Sequence, residues 1–284
     1  MIRIPTVALA LMALGCSMAS AQLALPGAPT VAPHKAQQAD KPDMGDKDAP
    51  DKASAPPARR GASPRTLDGK SLRLGGSQGE LRLSDHDKVL RIEKLSLAGE
   101  VISDPSRKCL IAIVGDAPIE TKSLGRPDGL ARFEAEIPAC PFTFDVLDGA
   151  VLAPAQDRAC VFKAADCQAT PAGLWGPDPA ALHSDAKTIG RLRTHADSAA
   201  DRTLRAIQAR LKDGPGADAI AHEDADLAAR RDEVCHDYVQ EVASGYCASR
   251  MAEARAALLK ARLDALSRGS KTPGSKASDP KPPE

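Results

Sequence analysis

The sequence predicts an α+β protein. A small antiparallel β-sandwich or barrel is followed by an α-helical hairpin or three-helix bundle, with a disordered N-terminal tether and C-terminal tail. Three observations carry this reading. Residues 66–168 alternate apolar and polar side chains, the period of a half-buried strand. Residues 178–266 repeat apolar positions every three or four residues, the period of a half-buried helix. The flanks, residues 22–65 and 267–284, are rich in Ala, Pro, Lys, Asp and Ser and hold almost no large apolar side chains. Such segments cannot bury enough surface to offset the entropy of ordering. The resulting division is a leader at 1–21, the tether, a β region at 66–168, a helical region at 169–266 and the tail.

The leader begins with a positive segment, Met1-Ile2-Arg3. It continues as an apolar run from Ile4 to Leu14 and ends in Ala19-Ser20-Ala21, a small-x-small cleavage pattern before Gln22. The run is shorter than the roughly 20 residues a membrane-spanning helix needs. It therefore predicts a secretory signal, a periplasmic or secreted mature chain, and no transmembrane segment in that chain. A second processing reading comes from Ala13-Leu14-Gly15-Cys16, which has the form of a lipoprotein signal and would place a lipid on Cys16.

In the β region, SLRLGG and GELRLS put Leu72, Leu74, Leu81 and Leu83 on inner faces. VLRIEKLSLAGEVIS keeps period two through Leu90 and Ile92, then shifts by one residue to Leu95 and Leu97, which predicts a bulge or a turn. CLIAIVG is a continuous apolar run and reads as a central strand. FTFDVLDGAVLAP reads as a hairpin with Phe142, Phe144 and Val146 on one face and Asp148-Gly149 at the turn.

The first helix is expected to start at Asp178-Pro179, since Pro suits the first helical position. It follows Ile189, Leu192, Ala196, Ala200, Leu204, Ile207 and Leu211 until Asp213-Gly214-Pro215-Gly216 stops it. A second is expected from Asp224, with Leu227, Val234, Tyr238 and Val242 on one face. A third follows Ser244-Gly245, with Cys247, Met251, Ala254, Leu258 and Ala261 on one face. Ala-rich stripes of this kind favour close helix packing.

Lys plus Arg and Asp plus Glu both number 38, so the net charge offers no footprint for nucleic acid and no polybasic patch for a membrane. One Trp, two Tyr and four Phe are too few for a stacking platform.

The densest chemistry lies in RRDEVCHDYVQEVASGYCASR, residues 230–250. A structural zinc site would pair its ligands two to four residues apart, and a redox pair would be C-x-x-C. Neither spacing occurs, and no metal or cofactor is expected. Setting Cys16 aside leaves six cysteines, and an exported chain permits disulfides. On one straight helix Cys235 and Cys247 would stand about 18 Å apart, whereas a bridge needs Cα atoms within about 7 Å. A Cys235–Cys247 bond therefore requires a chain reversal. Ser244-Gly245 is the break, and either the second helix ends early, around 239–242, or Cys235 sits at an offset in the crossing.

Other candidates have weaker support. Asp85, Asp87, Glu93 and Glu100 alternate along a strand, and Asp85-His86-Asp87 imitates a catalytic cluster, yet SDHDK reads as a polar turn. Ser103 and Ser123 have no His at a spacing that suggests a triad. His34 lies in the tether, and His183, His195, His222 and His236 are scattered on helix exteriors or caps. No catalytic residue is assigned, and a hydrolase is a distant alternative.

The stretch RRDEVCHDYV…GYCASRMAEARAALL resembles the C-terminal half of the LprI-type domain, a small cysteine-containing helical module of exported bacterial proteins named for a lysozyme inhibitor. Arg231-Asp232, Cys235, Cys247 and Arg255 stand at the positions of its pattern. Asp166-Cys167-Gln168-Ala169 stands where its opening cysteine would be. Trp175-Gly176-Pro177-Asp178 stands where its second cysteine would be and lacks it. The resemblance covers residues 166–266, about a third of the chain. Without that helical partner, Cys167 is expected to pair in the β region. The local set is Cys160–Cys167 with Cys109–Cys140; the alternatives are Cys140–Cys160 or Cys140–Cys167, with Cys109 taking the remaining cysteine. The resemblance implies an exported binding or inhibitor-type protein acting on a lysozyme-like glycosidase. Such an inhibitor would insert polar loop residues into a cleft holding catalytic carboxylates, and Lys122 and Arg126 are the natural probes for that role, with no motif behind them. The alternative is a structural protein that interacts with an envelope component.

Overall fold

The computed structural model describes residues 62–115, 117–212 and 214–269. The leader, Cys16, the tether up to residue 61 and the tail beyond residue 269 lie outside the described residues.

Twelve strands form one antiparallel sheet. They are β1 (Ser71–Leu74), β2 (Gln78–His86), β3 (Val89–Val101), β4 (Lys108–Ala112), β5 (Ile119–Glu120), β6 (Lys122–Gly125), β7 (Ala131–Ala135), β8 (Phe142–Leu147), β9 (Ala150–Ala153), β10 (Cys160–Phe162), β11 (Cys167–Ala169) and β12 (Gly173–Gly176). Their order is β10-β11-β3-β2-β1-β12-β9-β8-β7-β6, with β4 and β5 paired to β3 off this path. The sheet rolls without closing into a barrel. Leu72, Leu81, Ile92 and Leu97 from one half meet Phe133, Phe144 and Val146 from the other in a single core around Trp175. The Trp175 indole N–H donates to the Pro171 carbonyl at 2.8 Å, which satisfies its one polar atom inside that core.

Several local expectations hold. Leu90, Ile92, Leu95 and Leu97 are all buried. The period shift is a bulge: Arg82 faces Lys94 and Leu83 faces Ile92, leaving Glu93 as the extra residue, its carboxylate accepting from the Ser84 hydroxyl. Of SDHDK only Asp87-Lys88 forms the turn between β2 and β3, both left-handed at φ 53° and 68°, as a two-residue hairpin loop demands; Ser84, Asp85 and His86 are paired residues of β2. The β8–β9 hairpin turns at Asp148-Gly149.

Three expectations need correction. CLIAIVG is not a central strand. β4 pairs with β3 alone, and Leu110 on its outer face is 69% exposed. The run looks continuous because Ile111, Ile113 and Val114 pack on the core while Leu110 does not. The local disulfide set does not form; the bridges are Cys109–Cys167, Cα atoms 6.0 Å apart, and Cys140–Cys160, 5.0 Å apart. Register explains this. Cys160 faces Ala169 and Cys167 faces Phe162, so the two cysteines are diagonal neighbours, roughly 7–8 Å apart in such a ladder and out of range of each other.

The third correction concerns the helices. A 3₁₀ segment, Pro179–Asp185, starts with the Asp178 side chain accepting the Ala180 N–H at 2.9 Å. Helix α1 (Ala186–Leu211) follows, with Ile189, Ala200 and Ile207 buried. Helix α2 (Pro215–His236) starts well before Asp224, because Pro215 sits at the first helical turn, where its missing N–H costs nothing. It ends at His236, so Tyr238 and Val242 are not on its face. Tyr238 is buried against Gly176, and Val242 is fully exposed. Helix α3 (Glu241–Ser244) is a single turn between left-handed residues Gln240 and Gly245. Helix α4 (Tyr246–Gly269) buries Cys247, Met251, Ala254 and Leu258 as expected, while Ala261 of the same expected face is half-buried. The Cys235–Cys247 bridge is present, Cα atoms 5.5 Å apart.

The expected boundary between residues 168 and 169 falls inside β11, and β12 lies in mid-sheet between β1 and β9. Sheet and helices share a second core, in which Leu147, Leu152 and Leu174 meet Leu182, Ile189 and Met251. Among the described residues no helix is long and apolar enough to cross a membrane. Three disulfides are compatible with an exported protein.

Candidate functional site

Lys122 opens β6, an edge strand whose four residues are all exposed, and Arg126 is the first residue of the loop that follows it. The Lys122 ammonium stands 3.5 Å from Glu134 and 3.6 Å from Glu136. Arg126 is exposed, with one Nη2 hydrogen bond to the Ala62 carbonyl at 3.3 Å. The loop that carries Arg126 is held from below. Asp128 receives Arg132 at 2.9 Å and Arg262 of α4 at 3.1 Å. Arg262 also grips both oxygens of Glu223 on α2, and Arg132 chelates Asp145 on β8 at 2.7 and 2.8 Å. These carboxylate hydrogen bonds push both guanidinium pKa values up, so both stay charged. Gly129 completes the clamp. Its φ is +83°, and a Cβ there would sit 2.5 Å from the Ala257 carbonyl oxygen. Backbone thus lies directly on backbone, and the loop presents Arg126 on a fixed base.

Of the residues that carry the LprI-type resemblance, Arg231, Asp232, Cys235, Cys247 and Arg255 lie on α2 and α4, whereas Cys167-Gln168-Ala169 and Trp175-Gly176 lie on strands β11 and β12. Arg255 of α4 chelates Asp224 of α2 at 2.6 and 2.9 Å and reaches Asp201 of α1 at 2.9 Å. One guanidinium thus joins three helices, and the Asp224 hydrogen bond raises its pKa. Arg231 bonds its neighbour Asp232 at 3.0 and 3.1 Å. Asp197, Arg231 and Arg255 line a groove of about 230 Å³ together with Leu227, Met251 and Ala252.

A buried cluster escaped the sequence reading. Arg250, 5% exposed, donates to the Asp148 carbonyl at 2.6 Å, pairs with Glu253 at 2.9 Å and lies 5.5 Å from the centre of the Tyr246 ring. The Tyr246 hydroxyl donates to the Gly149 carbonyl at 3.0 Å, and Glu253 accepts the Asp148 N–H at 3.0 Å. Burial pushes the Glu253 carboxyl up and pushes both the Tyr238 and Tyr246 phenols up. Two buried atoms, the Tyr238 hydroxyl and Arg250 Nε, have no hydrogen-bond partner among the described residues. Together these groups fasten α4 onto the β8–β9 turn. The available signal was Tyr246, Arg250 and Glu253 at helical spacing on one face, next to the apolar stripe.

The remaining candidates stay apart. The Asp85 N–H donates to Asp68 at 3.1 Å, and Asp85 stands 4.0 Å from Arg65; Asp87 and Lys88 complete an open polar depression of about 570 Å³. Glu93 is occupied in the bulge, and Glu100 pairs with Lys108 at 2.9 Å. His86, His183, His195, His222 and His236 are all exposed, and His236 meets its neighbour Asp237 at 2.7 Å. The Ser103 hydroxyl donates to Asp166, and Ser123 accepts the Gly125 N–H at 3.4 Å. Among the described residues no three His, Cys, Asp or Glu side chains gather as a metal would need. No family model matches the chain, and no curated protein and no solved structure matches it either.

Proposed function

We propose that the chain is an exported, disulfide-stabilised binding protein of the inhibitor type, which offers Arg126, with Lys122 at the far end of β6, to the carboxylate-lined cleft of a lysozyme-like glycosidase. The supporting observation is the clamp beneath Arg126. Asp128 and Gly129 fasten the loop to α4, so little order is lost when it docks, and preorganisation of that kind raises affinity. A glycosidase cleft holds a pair of carboxyl groups, and a guanidinium can chelate one of them with two parallel hydrogen bonds. The LprI-type resemblance of residues 166–266 points to the same class of target.

The test is a titration of the mature protein into cell-wall lysis assays with several classes of lysozyme. Inhibition of at least one class is expected, weakened roughly tenfold by Arg126→Ala as for an interface anchor. Unchanged lysis by every class at large molar excess removes this reading.

A further inference from the structure

The overall charge balance hides a separation between two neighbouring helices. Helix α1 holds six Lys and Arg against two Asp. Helix α2 holds six Asp and Glu against two Arg. The two carboxylates of α1 are already engaged, Asp197 by Arg193 and Asp201 by Arg255. Lys187, Arg191, His195, Arg202 and Arg205 are all exposed. Their spacing of three, four or seven residues places them on one stripe, opposite buried Ile189, Ala200 and Ile207. On α2 the exposed acids Asp218, Asp226 and Glu233 also share one stripe. Among the described residues, no member of the acidic stripe and neither Lys187, Arg202 nor Arg205 forms an ion pair.

The spacings match when one helix is reversed. At 1.5 Å per residue, Asp218, Asp226 and Glu233 stand at intervals of roughly 12 and 10 Å. The Arg202/Arg205 pair, His195 and the Lys187/Arg191 pair stand at intervals of roughly 13 and 9 Å. An antiparallel α1–α2 contact thus sets Asp218 against Arg202 and Arg205, Asp226 against His195, and Glu233 against Lys187 and Arg191. Within one chain this contact is not made, because both stripes point outward. We infer that α1 of one copy docks antiparallel on α2 of a second copy through these stripes. A second copy fits better than an unrelated polyanion, because the chain itself carries a complement of matching sign, length and spacing. Exposed ion pairs are weak singly and are screened within about 8–10 Å at ordinary ionic strength. The association is therefore transient and salt-sensitive.

Sedimentation velocity of the mature protein in about 20 mM and about 300 mM salt tests it, since the two conditions differ several-fold in screening length. The average mass is expected to rise with concentration at low salt and to return to that of one chain at high salt. The variants Arg202→Glu/Arg205→Glu and Asp218→Lys should each stay monomeric alone, with unaltered circular dichroism. Mixed in equal amounts they should associate again. A wild-type protein that stays monomeric at low salt overturns the proposal. So does a loss of association with the α1 variant that Asp218→Lys does not share, since α1 would then face something other than α2. Rescue of the α1 variant by Glu233→Lys instead of Asp218→Lys overturns the antiparallel register.

Discussion

Gly129 and Glu253 each reach across the sheet–helix boundary, one by lacking a side chain and the other by burying one. Replacing Gly129 by Ala would force a Cβ to within 2.5 Å of the Ala257 carbonyl at a φ of +83°. The expected loss is about 1–3 kcal/mol, as for other residues held in strained backbone regions; urea unfolding measures it. The variant should also lose affinity for any partner of Arg126, because the loop would no longer be fixed. Glu253 makes a prediction in pH. Burial lifts its carboxyl above the ordinary value of 4.5. The folded chain therefore binds a proton there more tightly than the unfolded chain does. The stability this contributes is complete below pH 4.5 and is lost as pH rises through the folded value. Glu253→Gln should flatten the fall in stability just above pH 4.5, read from denaturation midpoints at several pH values. Neither role was legible in the sequence. The partners of Arg250, Tyr246 and Glu253 lie on the Asp148-Gly149 turn, about a hundred positions earlier. Helical spacing reveals which residues share a face but not what that face meets.

At the scale of elements, period and turn chemistry were most informative where one face is buried. The β3 bulge, the Asp87-Lys88 turn, the β8–β9 hairpin and the inner face of α4 follow from local pattern alone. Failures came where one pattern served two structures. Pro215 and Gly216 read as a helix stop but begin α2, and the apolar run of β4 belongs to an edge. The Cys235–Cys247 reversal was expected from bond geometry, though α2 ends sooner than anticipated. Removing that bridge with Cys235→Ser/Cys247→Ser should cost about 2–4 kcal/mol. Helix α4 should persist, since Leu259 still packs on Ala200 and Ile207 of α1. Arg255 is a separate fastener. The Asp224 side chain is 17% exposed and the Arg255 side chain 21%. Arg255→Ala leaves that carboxylate partly buried and unpaired, and should cost about 1–3 kcal/mol. A double-mutant cycle with Asp224→Ala separates the pair from the packing of the stem.

Across the whole molecule, the order of strands was the least legible property. Strand β12 enters mid-sheet after the chain has passed through eight other strands from β4 onward, and no local signal marks that return. The candidate loop follows the same rule. No motif marks its cation at Arg126 in the sequence, and the clamp under it draws on α2, α4 and β8. The two sheet disulfides show how the rolled shape is held. Cys109–Cys167 joins β4 and β11, which both border β3 around Gly99, where a Cβ would meet the Gln168 carbonyl oxygen at 2.0 Å. Cys140–Cys160 joins the segment before β8 to β10, one end of the strand order. Because no ladder closes that gap, Cys140→Ser/Cys160→Ser should cost about 3–4 kcal/mol and speed hydrogen exchange in β10 and β11 ahead of β8 and β9.

These two bridges are also nested: Cys140–Cys160 lies wholly inside the loop closed by Cys109–Cys167. An oxidant meeting the thiols in order of synthesis would join Cys109 to Cys140 and Cys160 to Cys167, and both of those bonds are wrong. Cys140–Cys160 and Cys235–Cys247 link consecutive cysteines, whereas Cys109–Cys167 skips two. The chain therefore depends on disulfide exchange to reach its native pairing. Recovery from the reduced, unfolded state should be slow with oxidant alone and fast once an isomerase or a thiol–disulfide buffer is added.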